Sequence, residues 1–214
     1  MQKLTYSEVW LPPSKQVKSH QNLFILDWDD TILPTSFFLR SGSADQSDLQ
    51  TMAKANIGIL SKIQNVAIQL LEKMILFGKV IFVTNAKQGW VEYSSYYMLP
   101  RVHQLIELYA PVFSAQQMYG EEFPYEVEMW KQKAFLDLWN VEGLLSTTSQ
   151  TLLNLFVLGD SDYEISAGKH FRVNMKHGRK CLIKLVKMKE EPSAHDIERQ
   201  LQMLLNRFDE VTCS

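Results

Sequence analysis

Five stretches of the chain are apolar or nearly so, and between them apolar residues return at helical spacing. In NLFILDWDD the run Leu23 to Leu26 stops abruptly on acids. A strand buried on both faces of a parallel sheet reads this way, with its polar residues gathered at the carboxyl end. KVIFV (79–83) runs into Thr84-Asn85, and LLNLFVL (152–158) runs into Gly159-Asp160. PVFSA (111–115) and CLIKLV (181–186) complete the set. Ile59, Leu60, Ile63, Val66, Ala67, Leu70, Leu71 and Met74 predict a helix over 57–77, with Gly78 at its C-cap position. Further helices are expected over 90–109, 128–139 and 194–208. In the last, Ile197, Leu201, Leu204, Leu205 and Phe208 share a face behind Pro192-Ser193. Residues 1–20, with Pro12-Pro13, read as an extended lead-in, 41–56 as a loop or short insertion, and 116–127 as a loop.

Strands alternating with helices predict an α/β fold, a Rossmann-like parallel sheet with helices on both faces. No repeat, low-complexity tract or linker divides the sequence, so one domain is expected over 1–214. Ligands of such sheets bind at the carboxyl ends of the strands. Three of those ends carry useful groups: Asp27 with Asp29, Thr84, and Asp160.

Composition narrows the partners. The 214 residues are 46% hydrophobic and 21% charged, enough to bury a core. With 22 basic and 24 acidic residues the formal net charge is −2, which gives no clustered basic footprint for nucleic acid. No run reaches the roughly 18 apolar residues of a membrane span, and the first residues lack a signal-peptide core. Two cysteines, Cys181 and Cys213, make neither a disulfide framework nor a zinc site. A reducing, cytoplasmic setting is expected, and delivery by a non-classical secretion route stays open. His103, His170, His177 and His195 lack metal-ligand spacing.

The chemistry concentrates in Asp27-Trp28-Asp29-Asp30-Thr31. A lone Asp-Asp pair is more often a helix cap. Here the acids end a buried strand, where carboxylates are expensive unless a cation compensates them. Two acids one residue apart can divide the work between nucleophile and proton donor.

FILDWDDTILPT resembles the first motif of the haloacid dehalogenase (HAD) superfamily, VIFVTNA its second, and LFVLGDSDYE its fourth, in the family's order. More narrowly, VTNAKQGWVEYS, MWKQKAF and GDSDYE are similar to a compact group of its members in protists and some intracellular bacteria. The resemblance implies a HAD core and a Mg²⁺-dependent phosphatase. Asp27 would be the nucleophile and Asp29 the general acid and base. Thr84 and Asn85 would meet the phosphoryl oxygens. Asp27, Asp160 and the backbone carbonyl of Asp29 would face Mg²⁺. Glu164 would act behind them through a water, although Asp162 competes for that role and the family more often has Asp there. The third-motif lysine would be Lys131, with Lys133 the alternative.

HAD phosphatases usually carry a cap inserted after the first or second motif. Neither gap holds a full cap domain, and residues 33–56 leave room for a flap or a very small cap. By analogy an open site suits a phosphorylated protein. Trp28, Trp90 and Tyr93 could stack on a phenyl ring, which leans the expectation toward phosphotyrosine. Two rival readings are a small-metabolite phosphatase acting on sugar or nucleotide phosphates, and a catalytically inert HAD-like binding module. The sequence does not give the oligomeric state.

Overall fold

The computed structural model describes residues 22–39, 48–138, 153–174 and 181–213. The expected lead-in, residues 41–47 of the expected insertion, Trp139, Leu152 and His177 lie outside them. Five strands form one sheet: β1 Asn22–Leu26, β2 Lys79–Thr84, β3 Val112–Ser114, β4 Leu153–Gly159 and β5 Cys181–Lys187. Their order is β3-β2-β1-β4-β5, and every pairing is parallel. In register, Ile25 lies between Ile81 of β2 and Val157 of β4. The chain therefore winds outward from β1 to β3, then returns to the other side of β1. The crevice between the carboxyl ends of β1 and β4 is the reversal point, where sheets of this kind bind ligands.

The helices are α1 Thr35–Leu39, α2 Leu49–Ala55, α3 Ile57–Phe77, α4 Trp90–Met98, α5 Pro100–Tyr109 and α6 Ala115–Tyr119. Then come α7 Val127–Leu138, α8 Asp162–Asn174, α9 Ala194–Asn206 and α10 Phe208–Cys213. Alternation along β1 feeds two cores. Phe24 and Leu26 pack with α3, α5 and α9 on one face. Leu23 and Ile25 pack with Phe135 of α7 and Phe171 of α8 on the other. Phe24 stacks on Phe156 of the next strand, with ring centroids 4.7 Å apart.

Four local expectations change. The helix expected over 90–109 is broken at Leu99, because Pro100 cannot donate to the preceding turn and disfavours helical backbone before it. The loop expected at 116–127 begins as α6, capped by the Ser114 hydroxyl, which accepts from the Gln117 N–H at 3.0 Å. Residues 49–55 of the expected insertion are helical, and α8 follows β4 where no helix was read. Gly78 does stand at the C-cap position of α3, as expected; its backbone there is extended, and a Cβ would lie 2.4 Å from the Asn22 carbonyl oxygen.

The described part of 33–56 packs against the rest of the fold. Leu33, Phe38 and Leu49 are buried in the same core as α3. Among the described residues no helix is long and apolar enough to cross a membrane.

Candidate active site

Asp27 follows β1 directly, and its N–H donates to the Leu158 carbonyl at 2.9 Å, so the β1–β4 ladder carries the acid into the crevice. The chain then turns sharply. The Trp28 carbonyl accepts from the N–H groups of Ile32 and Leu33 at 2.9 and 3.1 Å. Asp30 takes the left-handed conformation, with φ 54°. Aspartate tolerates that conformation better than most residues. Its own side chain secures the turn, accepting from the Ser36 N–H at 2.9 Å.

Lys131 reaches the site from α7 and is 2% exposed. Its ammonium donates to Asp27 Oδ1 at 2.6 Å and also bonds Glu164 Oε1. Lys133 points elsewhere, over the Phe123 ring. Glu164, in the first turn of α8, is equally buried, and its Oε2 accepts from the Ser161 N–H and hydroxyl at 3.0 and 2.6 Å. Asp162, the other acid considered, has an 88% exposed side chain beside Lys187. Gly159 explains how Glu164 fits: a Cβ at that position would lie 2.3 Å from Glu164 Cγ. Asp160 is half-buried at the end of β4, and its backbone carbonyl accepts from Lys187 Nζ at 2.7 Å.

Asp29 faces a different set of donors. Its Oδ1 accepts from the Thr35 hydroxyl at 2.6 Å and from the Trp90 indole N–H at 2.8 Å. Its Oδ2 lies 3.5 Å from Thr84 Oγ1. Thr84 is buried at the end of β2 and accepts from the Ala86 N–H at 3.0 Å. Asn85 is half-buried, and its Oδ1 is buried with no partner among the described residues; Thr31 Oγ1 is in the same condition.

Trp28 corrects an expectation. It is 0% exposed, meets Phe82 edge-on and donates its indole N–H to Ser94 Oγ at 2.9 Å. A ring so enclosed cannot stack on a ligand. Thr35, Ser161 and Lys187 also hold the site, and sequence reasoning missed them. No motif marks a surface-type Thr or Lys as the donor to the Asp29 carboxylate or the Asp160 backbone carbonyl.

Charge in this crevice is unbalanced. The carboxyl groups of Asp27, Asp29, Asp30, Asp160 and Glu164 gather around one buried ammonium among the described residues. Burial, followed by Glu164 and Asp30, pushes Asp160 up to about 6. Burial also raises Asp27 and Asp29. Glu164 is held low, because Lys131 and Ser161 outweigh its burial. One ammonium is thus shared by Asp27 and Glu164, with Asp29, Asp30 and Asp160 close by. No three His, Cys, Asp or Glu side chains among the described residues form a cluster that could hold a metal ion. Mg²⁺ does not require one: a pair of carboxylates, a carbonyl and waters make a hard-oxygen set that suits it. On donor chemistry and charge, Asp27, Asp160 and the Asp29 carbonyl fit a divalent cation. No protein-family model, curated protein or solved structure matches this chain.

Proposed function

We propose that the chain is a phosphomonoester phosphatase of the HAD superfamily, dependent on Mg²⁺, with Asp27 as nucleophile. The observation that carries the reading is the buried contact of Lys131 with Asp27 and Glu164, built beside Asp29 at the reversal point of a parallel sheet. An ammonium bonded to a carboxylate in a polar crevice suits a site that must receive a dianionic phosphoryl group.

The remaining residues support distinct roles. An oxygen of Asp27 attacks phosphorus, and the bond from phosphorus to the leaving oxygen breaks. Asp29 gives that oxygen its proton, which its raised affinity for a proton favours. A water then loses a proton to Asp29 and attacks the aspartyl-phosphate, which releases phosphate and restores Asp27. Lys131 holds Asp27 and offsets charge on the phosphoryl oxygens. Thr84 and Asn85, at the end of β2, would hydrogen-bond those oxygens, and Glu164 bonds Lys131. Mg²⁺, held by Asp27, Asp160 and the Asp29 carbonyl, would stabilise negative charge on the phosphoryl group.

A phosphorylated protein is the preferred substrate class, with a lean to phosphotyrosine. The support is that the described part of 33–56 packs into the core, with Leu33, Phe38 and Leu49 buried beside α3. With Trp28 buried, the exposed rings among the described residues include Phe37 on α1 and Tyr163 on α8, 44% and 41% accessible. Purified protein with Mg²⁺ should hydrolyse an aryl phosphate, and Asp27→Asn should abolish turnover. Matched phosphotyrosine, phosphoserine and phosphothreonine peptides, assayed beside sugar phosphates and nucleotides, should rank tyrosine first. A metabolite turned over far better than every peptide would replace the protein-substrate reading.

A further inference from the structure

Asp29 does not stand alone at the end of β1. Its Oδ1 receives two hydrogen bonds, one from the Thr35 hydroxyl at the start of α1, six residues on, and one from the Trp90 indole at the start of α4, far along the chain. A second indole bond runs the opposite way. Trp28, the residue before Asp29, donates to Ser94 Oγ, one turn along α4 from Trp90. Ser94 in turn donates to the Trp90 carbonyl at 2.7 Å. The loop holding Asp29 and the first turn of α4 are therefore clasped by two indole N–H bonds of opposite direction.

This arrangement has a consequence for the carboxylate. Oδ1 has both of its acceptor directions filled, by a hydroxyl and an indole. Oδ2 is left facing Thr84 at 3.5 Å. Rotation about the Asp29 side-chain bonds would break both strong contacts to Oδ1, so the carboxylate is held in one orientation with one oxygen presented. We infer that Trp90 and Thr35 are positioning residues that lock Asp29 with Oδ2 toward the substrate. Their action in turnover rests on the phosphatase reading above, while the clasp itself does not. A charge-accepting group held this way gains rate because its geometry is fixed before the reaction, and a misplacement of about 1 Å can cost about 100-fold.

Two measurements decide the matter. The first needs no activity: the indole ¹H–¹⁵N resonances of Trp90 and Trp28 in labelled full-length protein, with and without Asp29→Ala. The Trp90 resonance should move upfield on loss of its acceptor, and the Trp28 resonance, bonded to Ser94, should stay. A Trp90 resonance indifferent to Asp29 would overturn the clasp. The second compares Trp90→Phe, Thr35→Val and Thr35→Ser on an alkyl phosphate and on p-nitrophenyl phosphate. Trp90→Phe and Thr35→Val should each lower kcat on the alkyl ester by about 10- to 100-fold with KM little changed. The loss should be several-fold smaller on the nitrophenyl ester, whose leaving group needs little protonation. Thr35→Ser, which keeps the hydroxyl, should recover most of what Thr35→Val loses. Equal losses on both esters, or a fall in binding alone, would overturn the positioning role. If the wild-type protein hydrolyses no phosphomonoester, the phosphatase reading fails and the positioning role falls with it, while the resonance arm still decides the clasp.

Discussion

Lys131 is a single ammonium shared by two buried carboxylates, and its pKa is raised by them despite the desolvation that opposes it. Removing it would leave Asp27 and Glu164 without their shared counter-charge in a region of low dielectric. Loss of one partner from a buried ion pair typically costs about 3–5 kcal/mol. Lys131→Ala should therefore lower stability by that amount in urea denaturation, whereas Lys133→Ala should change it by under about 1 kcal/mol. Comparable losses for the two would mean that Lys131 is not the buried partner. Gly159→Ala tests the same knot from its other side. The added methyl needs the space Glu164 occupies, so the carboxylate must leave Lys131. A cost of about 1–3 kcal/mol is expected, together with a fall in activity. These site residues were legible in the sequence because each closes an apolar run or sits at a motif spacing. Thr35 and Trp90 were not, since a hydroxyl or indole finds its acceptor only through the fold. Trp28 misled for a related reason: an indole has an apolar body and a polar edge, and only the surroundings decide which one is used.

At the scale of elements, the strands were readable because a parallel sheet covered on both sides requires unbroken apolar runs. The helices were less so where short-range chemistry competes. The Pro100 break and the Ser114 cap act within a few residues and leave the apolar spacing intact. α8 carries a weak pattern, because it meets the sheet partly through Ala167 and Gly168 rather than through large side chains. The joint between α3 and β2 offers a test away from the site. Gly78 lies against the Asn22 backbone, and the Asn22 amide donates to the Phe77 carbonyl at 2.7 Å. Gly78→Ala should lower stability by about 1–3 kcal/mol while leaving activity per folded molecule unchanged. At the other end of the sheet, Ser193 and Asp196 form a reciprocal cap on α9. Ser193→Ala should cost about 0.5–2 kcal/mol, read from the same denaturation curves.

For the molecule as a whole, the unbalanced crevice ties stability to pH. Asp160 is raised in the fold from its ordinary 3.8 to about 6. A carboxyl group raised on folding adds stability while protonated, below its unfolded pKa, and that contribution is lost as pH rises through the folded value. Glu164, held low, acts in the opposite sense and loses its contribution only in acid. With a chelator present, the Asp160 share should disappear between about pH 4 and about pH 6. Thermal melts should show Asp160→Asn flattening that fall, and Mg²⁺ reversing it in the wild type by binding the ionised form. An identical pH slope in wild type and variant would refute the assignment. The strand order β3-β2-β1-β4-β5 also bears on how the protein is made. β1 sits at the centre of the sheet, yet its neighbour β4 begins only at Leu153. While a ribosome is still extending the chain, one edge of β1 stays unpaired until more than half the sequence has emerged. An open apolar edge is an invitation to other nascent chains, and non-local parallel pairing closes slowly. Translation stalled before Leu153 should therefore yield aggregates instead of a smaller folded protein, and Asp160 and Glu164 would join the crevice only after that danger has passed.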